Sequence, residues 1–390
     1  MGIHVQHCQN KNDTYFSGAG LLFVGQTLGD GSWATNADGD WSIAANWLNG
    51  IVPTGVYATA YFTNSITADR TVNLDYSTLS IPYLWFGSPS YNWVVTNNTI
   101  NLTNSSGTPK ITVNANTATV ASAISGAQSL TKSGPGTLIL SGANTYSGST
   151  IINNGSLILA STNALPTNGA VVMGSGANVG VLNMAAYSAA ITGLTVVSTS
   201  IGTSNLITIA NDRTLTINGD IVIGTNVNNS RVALAMVGGG NLVINKPGGL
   251  VKLGMVTGTD NRGQEILDFS ALNSVNMDLG GGSVSIGSGD NGSGWDSGLI
   301  LSASNFLRAA TVTIGASALS GPHYIYLGPG TNVLNVNTLN LGIGARDGGK
   351  LVFSGAGGSV VLRGTNGTGR ANVTMGQNTG GTGYDADIIF

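Results

Sequence analysis

From about residue 96 onward the chain alternates polar and apolar residues in short runs, separated by Gly, Asn and Ser. Gly136-Thr137-Leu138-Ile139-Leu140 is followed nineteen residues later by Gly155-Ser156-Leu157-Ile158-Leu159. Similar runs stand at 214–217, 241–244, 283–286, 311–314, 338–341, 350–353, 359–362 and 372–375. A period of two predicts strands with one buried face. Equivalent runs recur roughly 19 to 28 residues apart with other strands between them, which suits a coil of two or three strands per turn. The predicted fold is therefore all-β: a right-handed parallel β-helix, or β-solenoid. A β-sandwich also has short strands, but its repeat is near 100 residues, and the self-similarity here is much finer.

Three regions follow from the pattern. Residues 1–30 form an irregular N-terminal extension, 31–95 an aromatic-rich N-terminal cap module, and 96–390 the solenoid repeats. The cap module holds Trp33, Trp41, Trp47, Trp85 and Trp93, five of the six tryptophans. Large aromatics bury much area for few residues, and a solenoid needs a cover over the open end of its core.

Composition narrows the function. Only 8% of the 390 residues are charged, against about 25% in ordinary soluble domains, so Asn, Thr, Ser and Gly must hydrate the surface. The 59 glycines and the many asparagines suit tight turns between faces. The 14 basic residues are scattered and the net charge is −3, so the clustered cations that bind nucleic acid are missing. Cys8 is the only cysteine, which forbids an internal disulfide. No run of 18 apolar residues predicts a transmembrane helix, and the first residues lack the basic, then apolar, pattern of a secretory leader.

Residues 130–161 add a specific motif: Leu130-Thr131-Lys132-Ser133-Gly134-Pro135-Gly136-Thr137-Leu138, then Gly142-Ala143-Asn144-Thr145-Tyr146-Ser147-Gly148, closing on Gly155-Ser156-Leu157-Ile158-Leu159. This stretch resembles the autotransporter-associated β-strand repeat, also called the passenger-associated transport repeat. A degraded relative of it spans 244–254. Trp33, Gly39-Asp40-Trp41, Asn46-Trp47, Gly50 and Pro53 resemble the module that often precedes such repeats. The resemblance implies a secreted or bacterial cell-surface passenger with a β-helix fold. Two departures are the missing leader and the missing C-terminal membrane barrel, for which Phe390 alone is weak support.

Candidate chemistry is thin. Trp33, Trp41 and Trp47 could offer indole faces to a glycan, although a structural cap is the favoured reading. Asn36 to Asp40 and Asp290 to Asp296 hold oxygens in Gly-rich turns, but neither matches a calcium loop. Asp260, Glu265, Asp268 and Asp278 with Arg262 are the one local concentration that could serve a lyase or glycosidase. His4, His7 and Cys8 lack a nearby fourth ligand, and His323 is remote. Neither cofactor nor metal is expected. The expectation is a non-enzymatic extracellular rod that self-associates end to end into filaments or a surface layer, since the strand-like run 385–390 carries no polar cap. The alternative is an adhesin binding glycans or a host surface, with a polysaccharide lyase behind both.

Overall fold

A computed structural model describes residues 29–104, 107–199, 203–224, 230–254, 263–288, 296–316, 321–344, 348–376 and 385–389. The chain divides into two compact units, one up to Ser147 and one from Gly148. Each is a stack of coils in which every pairing between named strands is parallel.

In the first unit each full coil lays one strand on each of three faces. The first face is Gly31–Ser32, Thr59–Phe62, Tyr83–Phe86, Lys110–Val113 and Leu130–Ser133. The second is Gly39–Asp40, Arg70–Asn73, Trp93–Thr96, Thr117–Val120 and Thr137–Leu140. The third is Thr78–Ser80, Thr99–Asn101 and Ala123–Ser125. Coils therefore begin inside the Trp-rich segment, where strands such as 59–62 and 70–73 already occupy the faces used by later ones.

Alternation sends every second side chain inward, and parallel pairing places it against its counterpart in the next coil. Val72, Val95, Val120 and Leu140 form one such column, all fully buried. Leu79, Ile100 and Ile124 form another. The column Ala60, Leu84 and Ile111 ends on a charged residue, Lys132. Lys132 is fully buried, and its Nζ donates to the carbonyls of Ser133 (3.1 Å) and Gly134 (2.7 Å). Gly134 sits at φ +79°, a left-handed turn that suits glycine. A lysine can thus hold a turn's carbonyls from inside the coil, at the cost of desolvation, which lowers its pKa to about 8.

At the first coils the core is aromatic. Phe62 lies 5.3–6.1 Å from the rings of Trp33, Trp41, Trp47 and Trp93, and stacks on Phe86 at 4.9 Å. The segment carrying Trp41 and Trp47 is irregular, with two 3₁₀ turns at Ala44–Asn46 and Leu48–Gly50. Its indoles help to fix it: Trp41 Nε1 donates to Pro53 O and Trp47 Nε1 to Trp41 O.

The second unit repeats the plan with longer columns. Ile191, Ile217, Ile244, Met277, Leu307 and Leu334 stack through six successive strands. Val196, Ile223, Leu253, Ile286, Ile314 and Leu341 do the same on another face. Two strands, Ser304–Ile314 and Thr331–Leu341, each run 11 residues and serve two faces at once. Some buried polar residues pair with one another. Asn305 Nδ2 donates to Asn332 Oδ1, and Asn332 Nδ2 to Ser359 O, so the amides form a chain across coils.

Two outcomes are expected. Phe62→Ala should destabilise the first unit by about 3–5 kcal/mol, because a large aromatic is lost from a closed site; chemical denaturation read by tryptophan fluorescence checks this. The folded Lys132 gives up its proton near pH 8, whereas the unfolded residue holds it to 10.5. Below pH 8 both states are charged and the burial penalty is complete. Between pH 8 and 10.5 the unfolded chain binds more protons, so stability rises, by roughly 3 kcal/mol at most. Denaturation midpoints across that range should climb in the native protein, and Lys132→Met should remove that climb.

Candidate functional site

The three tryptophans Trp33, Trp41 and Trp47 come together, but inward. They are 0–2% exposed. Trp33 meets Trp47 edge-on at 5.1 Å, and Trp41 lies 5.0 Å from Trp47. Their faces are occupied by one another and by Phe62, so none is turned to solvent. Trp85 differs. It is 38% exposed, the only tryptophan among the described residues on the surface.

Trp85 stands on the outside of the first face because its neighbours Leu84 and Phe86 point in. Register then fixes what surrounds it. Tyr61, Trp85 and Thr112 are register partners over three coils, with Tyr61 and Trp85 reaching the surface and Thr112 buried. Thr59, Tyr83 and Lys110 occupy the parallel row two residues away. These six residues and Leu84 line a shallow groove. Tyr61 and Trp85 have ring centroids 6.1 Å apart at 41°. The Tyr83 hydroxyl accepts a hydrogen bond from Asn104 Nδ2. Lys110 is exposed, and no carboxylate lines the groove. At about 190 Å³ it is smaller than the ~300–1,000 Å³ pockets that enclose small molecules, so it suits a ring laid on its wall.

Periodicity shows that Tyr61 and Trp85 point outward. That they are neighbours needs the coil length of this stretch, and no repeated motif marks it. The groove was therefore missed, and the tryptophans with the clearest spacing drew attention instead.

The carboxylates do not converge. Glu265 lies inside the second unit, where its Oε2 accepts from Ser297 Oγ at 2.8 Å. Ser297 N in turn donates to His323 Nδ1 at 3.2 Å, with all three residues buried. Asp268, three residues along the same strand, points outward. Asp278 is on another face, paired with Arg308 at 3.3 Å. Asp260 and Arg262 lie outside the described residues.

In the turn 36–40 the oxygens bond to the next coil. Asn36 Oδ1 accepts from Arg70 and Thr67 N, Asp38 Oδ1 from Thr71 N, and Asp40 Oδ1 from Asn73 Nδ2. Of the second turn only Asp296 is described; burial raises its pKa, partly offset by His323 and Lys350. His4, His7, Cys8 and Phe390 lie outside the described residues. Among the described residues no group of three or more His, Cys, Asp or Glu side chains could hold a metal. No helix among them is long and apolar enough to cross a membrane.

Comparison with known proteins adds two matches. The passenger-associated-transport-repeat family matches residues 130–159, the stretch that contains the Lys132 turn. Over 156 residues the chain is 33% identical to the adhesin BmaC autotransporter of Brucella suis biovar 1 (strain 1330). This chain is autotransporter passenger-like. The match covers 40% of the passenger-like chain and 4% of that adhesin, so the chain spans a small part of its relative's length. Both similarities place the passenger-like chain outside the cell or on its surface. No solved structure matches it.

Trp85→Phe should leave stability within about 0.5 kcal/mol, as for other surface substitutions. It should also remove the signal of the most exposed tryptophan among the described residues. Quenching and denaturation curves of the two proteins check both halves.

Proposed function

We propose that the chain is a non-enzymatic adhesion module, a parallel β-helix that carries binding features on its outer faces while its interior only holds the fold. The observation that carries this reading is the outward aromatic groove at Tyr61, Tyr83 and Trp85 on the first face. Trp85 is exposed and Tyr61 and Tyr83 are half-buried beside it, and aromatics gathered on an outer face suit a binding role. The similarity to an adhesin supports the same reading. The dispersal of Glu265, Asp268 and Asp278 argues against glycoside hydrolysis, which uses two carboxylates flanking the scissile bond.

A second reading is self-association into filaments or a layer. It is favoured by Val373, Met375 and Ile389, which are 42–47% exposed on the last described strands. Apolar side chains gathered at a surface favour association.

Beads coated with the protein should adhere to host-derived matrix or cells well above albumin-coated beads. Adhesion no better than albumin would sink the adhesin reading. Sedimentation at rising protein concentration addresses the second reading. Association should appear, and Met375→Asp should weaken it.

A further inference from the structure

We propose that the groove on the first face is a carbohydrate site for uronate-bearing glycans. Trp85 and Tyr61 would stack on sugar rings, and Lys110 would receive a carboxylate. This rests on the adhesin reading and names the ligand class.

Three observations lead there. The first is a two-by-three grid of residues lining the groove, with Tyr61, Trp85 and the buried Thr112 in one row and Thr59, Tyr83 and Lys110 in the other. Neighbouring coils are spaced about 4.8 Å apart, close to the length of one sugar residue in a polymer. A glycan running along the stack would meet a new aromatic or polar side chain at each residue.

The second is the aromatic surface. Tyr61 and Trp85 are partners in successive coils, with centroids 6.1 Å apart. The electron-rich faces of such rings attract the polarised C–H groups on the flat side of a pyranose. The strand holds Trp85 rigidly, because Leu84 and Phe86 on either side are locked in the core. Little conformational freedom is then lost on binding.

The third is charge. Lys110 is the only charged residue lining the groove, and it is exposed. It lies in register with Tyr83, one coil away and across the row from Trp85. A cation at the rim with no carboxylate beside it selects an anion. Thr59 and the Tyr83 hydroxyl add hydrogen-bonding groups suited to sugar hydroxyls. Flat apolar partners would satisfy the rings but leave these polar groups unused. Peptides would need backbone partners that a fully paired central strand does not supply.

The experiment uses the whole chain and oligomers of galacturonate, hyaluronan and alginate. Each is tested as the free acid and as its neutral methyl ester. Binding is followed by calorimetry and by protection of Trp85 fluorescence from acrylamide. At least one acid oligomer should bind and shield Trp85. Its ester should bind at least five-fold more weakly, and raised salt should weaken the acid alone. Trp85→Ala and Tyr61→Ala should each cost ten-fold or more. Lys110→Gln should erase the preference for acid over ester while sparing the ester's affinity. Circular dichroism of each variant confirms the fold, and Trp85→Phe, which keeps an aromatic face, should retain most of the affinity.

Absence of binding to all three acid oligomers would overturn the assignment, as would binding that survives Trp85→Ala and Tyr61→Ala together. Bead adhesion in the Trp85→Ala protein tells the two readings apart. If native beads adhere and the variant's beads adhere equally, adhesion stands and the groove assignment falls. If the oligomers bind as expected but native beads do not adhere, the groove assignment stands and the adhesin reading falls.

Discussion

Parallel in-register pairing between coils is the constraint on which the rest of this structure depends. It makes each inward position share its surroundings with the same position one coil above and below. An apolar column is then self-consistent, as in Val72–Val95–Val120–Leu140. A charge in such a column has no solvent and only identical neighbours to turn to. The core's buried Lys132 accordingly reaches backbone carbonyls, and its buried Asn305 and Asn332 chain together. The low charge content of the whole chain fits a body in which many positions face inward.

The same constraint explains how much could be read before the fold was known. Strands such as 137–140, 214–217 and 241–244 were legible because alternation and bounding glycines are local properties. That they pair in parallel between coils followed from their spacing. Less could be seen at 304–314 and 331–341, where one strand serves two faces and no glycine marks the bend. Lys132 was visible in the motif as a polar residue, but its buried position depends on Ile111 being its register partner. The candidate site depends on register even more strongly. Spacing within 33–47 suggested three gathered tryptophans, and they are gathered. Whether an aromatic cluster faces in or out, however, is decided by Phe62 beneath it, a contact no local pattern reveals.

The similarity to passengers and the geometry bear on different questions. The repeat match at 130–159 concerns the stretch with the Lys132 turn, which belongs to the architecture of the coil. The groove lies on strands 59–62, 83–86 and 110–113, all outside that repeat. The repeat and the groove proposed for recognition thus occupy separate stretches of sequence, which is why the repeat alone says little about what the chain meets.

Strict alternation along Tyr83-Leu84-Trp85-Phe86 has a consequence for how such a surface can change over generations. Neighbouring codons answer to different demands, one to a packed interior and the next to whatever lies outside. Substitutions at Trp85 or Lys110 can accumulate without disturbing Leu84 or Ile111. A lineage under pressure to switch hosts or evade recognition could rewrite every second residue of a face and inherit the skeleton unchanged.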